Sequence, residues 1–157
     1  MKETEKIEIM HFSQEGYLED GKNVYETGKK MIELADKVAD EGYDAVFLMG
    51  VGGTWDELMQ LEYLMNKFGD RDLEVYLIHA AEWNAMGHKR MTEKSVVITA
   101  SESGTTPEVL EAVKKMKEKG IRVYAMTKPE GPIGQAVGAE NCVAMASDHG
   151  SGGCEKG

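Results

Sequence analysis

Short runs of apolar residues alternate with longer amphipathic segments along most of the chain. Each run is too short for a helix and is rich in Val, Ile and Phe, which favour strands. The predicted strands are residues 45–49, 74–78, 95–100, 122–127 and 142–146. Strands that are apolar on both faces are typical of parallel sheets covered by helices on each side. The pattern therefore predicts an α/β fold, a three-layer sandwich around a five-stranded parallel sheet.

Between these runs, apolar residues recur at helical spacing. The first predicted helix covers residues 22–41 and is followed by Gly42, which is suited to a left-handed cap. The second covers residues 55–68, the third has Pro107 in its first turn, and residues 132–137 form a short fourth. The expected buried faces of the three long helices are Val24, Met31, Ala35 and Val38, then Leu58, Leu61, Met65 and Phe68, then Val109, Ala112, Val113 and Met116.

Length and composition are those of one globular domain. The 157 residues are 41% hydrophobic and 29% charged, so the chain has enough interior to fold without a disulfide or metal staple. Residues 1–20 are charged and turn-prone, and we expect them to form an amino-terminal arm. Residues 21–157 are then expected to form a single domain.

Charge and cysteine content argue against several classes of function. The 28 acidic residues outnumber the 18 basic ones and give a net charge of -10, which argues against nucleic acid as a partner. Cys142 and Cys154 lack the spacing of a disulfide framework, and the four histidines are scattered, so no metal site is expected. With no apolar run of membrane-spanning length and no apolar leader, we expect a cytoplasmic protein without membrane contact.

Two turns that follow predicted strands carry unusual residues. In an open parallel sheet, ligands bind beyond the carboxyl ends of the strands, near the point where the strand order reverses. The first turn, residues 50–54, joins three glycines, which let the backbone approach a ligand, to the hydroxyl of Thr54. The second turn leads into the helix at Pro107 and offers four hydroxyls, those of Ser101, Ser103, Thr105 and Thr106. Backbone N–H groups and the helix dipole at such a place favour an anion such as phosphate.

Each turn also has a purely structural explanation. Glycine serves tight turns, and a Ser or Thr before a helix usually caps it. One cap needs one hydroxyl, however, and the second turn has four. Neither turn has the GxxxxGK[ST] pattern of a P-loop or the GxGxxG spacing of a dinucleotide site, so nucleoside triphosphates and NAD are poor candidates.

The two turns resemble those of the sugar isomerase (SIS) domain family, whose members bind phosphosugars. The family pattern S-x-S-G-x-T-x-[DE] is met by Ser101, Ser103, Gly104, Thr106 and Glu108, and the pattern G-x-G-[TG]-[ST] by Gly50, Gly52, Gly53 and Thr54. This resemblance covers residues 40–146 and implies a sheet of flavodoxin-like strand order. It also implies that, without any cofactor, a sugar phosphate is held by Gly52, Gly53, Thr54, Ser101, Glu102, Ser103, Thr105 and Thr106.

Within the family, residues 80–83 and 95–101 look most like the fructosamine deglycases, which cleave phosphorylated Amadori sugars. Those enzymes, like the isomerase part of glucosamine-6-phosphate synthase, join two such domains. The resemblance therefore implies that this chain corresponds to a first half, without the final helix and the second domain. Because family members dimerise, it also implies a homodimer or a higher homo-oligomer.

Two carboxylates are candidates for acid–base catalysis. Glu82 follows the second predicted strand and resembles a Glu-aromatic element that serves proton transfer in the family. Glu155 matches by position the catalytic Glu of short family members. The alternatives are a solvated surface carboxylate for Glu82 and a terminal charge without a role for Glu155.

Two functions of different classes stay open at this point. In the first, the domain belongs to a deglycase or isomerase acting on phosphorylated Amadori or ketose sugars. A carboxylate there moves a proton between C1 and C2 while the phosphate anchors the substrate. In the second, the domain is a non-catalytic phosphosugar-binding or regulatory module. The phosphate site is common to both.

Overall fold

Five parallel strands form one sheet with helices on both faces. The computed structural model describes residues 14–70 and 72–144. In chain order the elements are α1 (Gln14–Glu41), β1 (Val46–Gly50), α2 (Gly53–Phe68), β2 (Val75–His79), α3 (Ala80–Met86), β3 (Val96–Ser101), α4 (Pro107–Glu118), β4 (Arg122–Thr127), α5 (Pro132–Val137) and β5 (Cys142–Val143). The strand order is β2-β1-β3-β4-β5, and all the pairings are parallel. The predicted α/β class and flavodoxin-like order are confirmed.

Neighbouring residues of the central strand β1 belong to two different cores. Phe47 and Met49 pack in the core formed with α3, α4 and α5, whereas Val46 and Leu48 pack in the core formed with α2. This alternation follows from the strand period of two and explains why β1 is apolar throughout. On α4, the predicted face of Val109, Ala112, Val113 and Met116 is fully buried.

Helix α1 is longer and more exposed than its sequence pattern predicts. It begins at Gln14, so the predicted start at residue 22 is wrong, and residues 14–20 of the expected arm are helical. Residues 1–13 lie outside the described part of the chain. Val24 and Met31, expected to be buried, are 57% and 40% exposed. Instead of packing tightly, α1 and the sheet border an apolar groove of about 200 Å³.

Two further differences concern the last residue of α2 and an additional short helix. Phe68 is the last residue of α2 and is 73% exposed, so its predicted burial is wrong, while Leu58 on the same face is buried. The short helix α3 was not predicted, because seven residues show too little of a 3.6-residue period to be recognised. None of the described helices is both long and apolar enough to cross a membrane.

Candidate functional site

The two unusual turns lie side by side at the carboxyl edge of the sheet. Strand β1 has β2 on one side and β3 on the other, so the direction of strand succession reverses between β1 and β3. Met49 is paired with Thr99 in the register of these strands, and the Thr99 hydroxyl donates a 2.8 Å hydrogen bond to the Met49 carbonyl. The residues that follow, 50–54 (the glycine loop) and 101–106 (the hydroxyl loop), therefore border one crevice.

Close backbone packing explains the composition of the glycine loop. A Cβ atom on Gly50 would lie 2.7 Å from the backbone nitrogen of Trp55. This distance is too short for any residue with a side chain. Gly52 has φ +60°, a left-handed value that favours glycine. The Thr54 hydroxyl donates to the carbonyl of Val51 at 3.1 Å and accepts from its N–H at 3.3 Å. The hydroxyl thus closes the loop, and its proton must turn away from Val51 before it can serve a ligand.

The four hydroxyls of the hydroxyl loop form two pairs. The Oγ of Ser101 lies 3.0 Å from the Oγ1 of Thr106. Ser103 Oγ accepts hydrogen bonds from both the N–H and the hydroxyl of Thr105, at 3.2 and 3.1 Å. Ser101 is buried, whereas Ser103 and Thr105 are exposed and accessible to a ligand.

Thr106 occupies the cap position of α4 but does not cap it with its side chain. Its hydroxyl is paired with Ser101 instead, so the simple capping explanation of this residue does not hold. Gly52 precedes α2 and has no side chain to offer. Since the first N–H groups of a helix have no acceptor inside the helix, both helices direct such groups towards the crevice. That arrangement is suited to an anion.

Strand β4 and the turn after it support the hydroxyl loop from one side. The Thr127 hydroxyl donates a 2.6 Å hydrogen bond to the Ser101 carbonyl, and the Ile133 N–H donates to the Gly104 carbonyl at 3.0 Å. Gly104 has φ +69°, and a Cβ there would lie 3.2 Å from the Thr127 hydroxyl and 3.5 Å from the Cα of Gly131. The loop is therefore closed on the β4 side.

Acidic residues lie beside the two loops. Glu57 is half-buried on α2, one helical turn after Gly53 and Thr54. Partial burial, followed by the charges of Glu102 and Asp56, raises the pKa of the Glu57 carboxyl above its ordinary value. Glu57 therefore gains a proton more readily than a surface glutamate does.

Of the two candidate acid–base residues, the structure describes only Glu82. Glu82 lies in the first turn of α3, is exposed, and forms no hydrogen bond or ion pair with another described residue. Glu155 lies outside the described residues. Both assignments remain predictions. Across residues 14–70 and 72–144, no group of three or more His, Cys, Asp or Glu side chains could hold a metal ion.

Two polar side chains at this edge were missed in the sequence. His79 is the last residue of β2 and is paired with Gly50 in the strand register. Lys128 follows β4, and its Cβ lies 3.5 Å from the position that a Cβ on Gly104 would occupy. The rule that sites lie after strand ends could have identified both, because each residue stands at such an end.

Comparison with known proteins identifies relatives among phosphosugar enzymes. The chain is 33% identical to fructosamine deglycase FrlB of Bacillus subtilis over 93 residues, which are 59% of this chain and 28% of that protein. It is 24% identical to the isomerizing glutamine–fructose-6-phosphate aminotransferase of Pyrococcus horikoshii over 144 residues, 90% of this chain and 24% of that protein. The chain thus spans about a quarter of the length of these curated relatives. No family model matches it.

Solved structures share the fold. A Bacillus subtilis protein assigned as a phosphosugar isomerase superposes with a TM-score of 0.64 at 26% identity, over 75% of this chain and 39% of that one. The Vibrio vulnificus NanR protein, solved with ManNAc-6P, superposes with a TM-score of 0.68 at 19% identity, over 90% of this chain and 54% of that one. The homologues and structural neighbours of this chain thus include phosphosugar isomerase (SIS) proteins, as the two loops predict.

Proposed function

We propose that this chain is a phosphosugar-binding domain whose phosphate site is the crevice between the glycine loop and the hydroxyl loop. The observation that carries the proposal is the Ser101–Thr106 hydroxyl pair, which leaves the start of α4 without a side-chain cap. The exposed hydroxyls of Ser103 and Thr105 and the backbone of Glu102 are the expected contacts on the β3 side. Hydrogen bonds of this kind to a charged phosphate are stronger than those between neutral groups.

On the β1 side, we propose that the phosphate meets the first backbone N–H groups of α2, at Gly53 and Thr54. Gly52 allows close approach because it carries no side chain, and its left-handed backbone is already the conformation that the loop needs. Helix dipoles at both loops favour negative charge. This attraction offsets the repulsion expected from Glu57 and Glu102.

We further propose that the domain is part of a sugar-phosphate deglycase or isomerase acting on phosphorylated Amadori or ketose sugars. Its relatives include a fructosamine deglycase and an isomerizing aminotransferase named for fructose 6-phosphate. Binding of the phosphate would orient C1 and C2 for proton transfer by a carboxylate, through an enediol or enolamine. Glu82 and Glu155 are the candidates for that group, and the cytoplasm is the expected location.

A regulatory module is the second candidate function. The fold likeness to NanR bound to ManNAc-6P extends over 90% of this chain, and a binding module requires only the phosphate site. Exchange of solvent deuterium into C1 of fructose 6-phosphate separates the two functions, because enediol formation removes and returns a proton at that carbon. An enzyme domain that uses Glu82 should show slow exchange that Glu82→Gln abolishes without loss of binding. A pure binding module should show binding and no exchange.

Binding itself is tested by the melting temperature with and without fructose 6-phosphate. A ligand that binds only the native state raises this temperature. The double variant Ser103→Ala and Thr106→Ala should lose the ligand-induced rise while still folding. As a matched control, Thr92→Ala with Ser95→Ala removes two hydroxyls that bind Asp44 at the opposite edge of the sheet. That control should melt at a lower temperature but keep the rise, and an unchanged rise in the Ser103 and Thr106 variant would refute the phosphate site.

A further inference from the structure

His79 lies beside the glycine loop but is not one of the proposed phosphate-binding or acid–base residues. It is the last residue of β2, opposite Gly50 in the register, so it lies at the same carboxyl edge as the crevice. Neighbouring strands are about 4.8 Å apart, which places β2 roughly 10 Å from β3 across β1. An open-chain hexose phosphate held at the hydroxyl loop can span a distance of that order.

The orientation of the His79 ring is set by two contacts. Its Nδ1 accepts a 3.3 Å hydrogen bond from the N–H of Ala81 and thereby caps α3. Its ring centroid lies 6.5 Å from that of Trp55, in the first turn of α2, with the planes inclined by 58°. Because Nδ1 is an acceptor here, the proton of the neutral ring is on Nε2. No described residue accepts that proton, and the side chain is half-exposed.

The crevice is closed on the β4 side and open on the side of β2 and His79. On the β4 side, the turn at Gly131 packs directly against Gly104 and closes the crevice. On the other side, the glycine loop has no side chain at Gly52 or Gly53 to block the way towards β2. The glycine loop is therefore the side on which a phosphosugar anchored by its phosphate has room to extend its carbon chain, towards His79.

We propose that His79 is a ligand-binding residue whose Nε2–H donates a hydrogen bond to an oxygen atom of the sugar, not of the phosphate. This inference rests on the proposed phosphosugar-binding function. It assigns His79 to recognition of the sugar end, so its removal should weaken binding of a sugar phosphate and leave binding of inorganic phosphate unchanged. A residue that only caps α3 would not separate the two ligands.

The substitution His79→Asn isolates the Nε2 donor. An asparagine side chain can still accept from the Ala81 N–H, because Asn is a favoured helix cap, but it has no group where Nε2 stood. His88→Asn is the matched control, since His88 Nδ1 also accepts a 3.3 Å hydrogen bond from the N–H two residues ahead, that of Arg90. The His88 ring packs on Phe47 and Tyr76, near the starts of their strands and away from the loops.

Calorimetric titration with fructose 6-phosphate and with inorganic phosphate gives the decisive comparison. We expect His79→Asn to weaken fructose 6-phosphate binding about tenfold, which is typical of one lost hydrogen bond, with phosphate affinity unchanged. His88→Asn should change neither affinity. Equal affinities of wild type and His79→Asn for fructose 6-phosphate, or an equal loss for both ligands, would overturn the role of His79 while leaving the phosphate site intact. A wild-type protein that binds neither ligand would overturn the proposed function, and His79 with it.

Should His79→Asn fail to fold, the wild-type protein still provides a test. Histidine side-chain NMR resonances can be followed while each ligand is added. The His79 resonances should move more with fructose 6-phosphate than with inorganic phosphate at equal saturation, and those of His88 should stay in place. Identical shifts of His79 with both ligands would contradict the proposed contact to the sugar.

Discussion

The hydroxyl of Thr127, on β4, donates a 2.6 Å hydrogen bond to the carbonyl of Ser101, the last residue of β3. Both side chains are buried, and the Ser101 carbonyl also accepts a 3.2 Å hydrogen bond from the N–H of Gly104. One carbonyl thus accepts a hydrogen bond from within the hydroxyl loop and another from the neighbouring strand. The loop conformation is accordingly a property of the sheet and not of the loop sequence alone.

Replacing Thr127 by valine keeps the shape of the side chain and removes this donor. We expect the free energy of unfolding to fall by about 1 kcal/mol, as for one buried hydrogen bond, and the affinity for fructose 6-phosphate to fall severalfold. Urea unfolding and calorimetry measure the two effects. Thr99→Val removes a comparable buried bond to Met49 and should lower stability without a similar loss of affinity. Unchanged affinity in Thr127→Val would show that the loop does not depend on this support.

Gly104 combines a left-handed backbone with a crowded position between the hydroxyl loop and β4. In Gly104→Ala the new Cβ would meet the Thr127 hydroxyl at 3.2 Å, and φ +69° would cost about 1–2 kcal/mol for any other residue. We therefore expect lower stability and loss of phosphosugar binding. Gly120→Ala has a similar strain at φ +74° but only ordinary contacts, so it should lower stability alone. Equal affinities in the two variants would contradict the placement of the ligand at the hydroxyl loop.

We expect the substitution Glu57→Gln to stabilise the protein by an amount that depends on pH. Partial burial, followed by the charges of Glu102 and Asp56, raises the pKa of Glu57, so the folded state binds its proton more tightly than the unfolded state does. The protonated Glu57 carboxyl therefore contributes stability that is fully present below the pKa of the unfolded state. This contribution is lost as the pH rises through the pKa of the folded state, because the carboxylate is then ionised. Glu57→Gln should therefore unfold at higher urea concentration than wild type at pH 7, with the difference shrinking towards pH 4.

The same substitution should also strengthen phosphate binding at pH 7, since it removes a negative charge from beside the site. Glu33→Gln, on the exposed surface of α1, is the charge-matched control and should change neither property. If Glu57→Gln binds phosphate no better than Glu33→Gln does, the Glu57 carboxylate does not face the bound anion.

Exposed apolar residues on α2 predict self-association. Tyr63, Leu64 and Phe68 are 56%, 49% and 73% exposed, which is unusual for a cluster on one helix. We expect light scattering at tens of micromolar to report a homodimer or larger assembly, and Phe68→Glu to shift it towards the monomer. Lys89→Glu, which also makes an exposed position more negative but lies outside α2, should leave the assembly intact. A wild-type monomer at this concentration would refute the prediction.

The amino-acid sequence alone determined the layers of the fold and the identity of the two loops. Runs such as residues 122–127 are apolar on both faces, and that composition is stable only inside a parallel sheet with helices on each side. Likewise, three glycines or four hydroxyls between a strand and a helix are visible without coordinates. These are local properties, because each depends on residues that are close along the chain.

Tertiary structure alone decided which groups face one another. The Thr106 hydroxyl could cap α4 or pair with Ser101, and only the course of the loop against β4 selects the pairing. His79 is far from Gly50 in sequence and becomes its neighbour through strand register, which no local pattern specifies. The exposure of Val24 on α1 has the same origin, since an amphipathic pattern states which face is apolar but not whether a partner covers it.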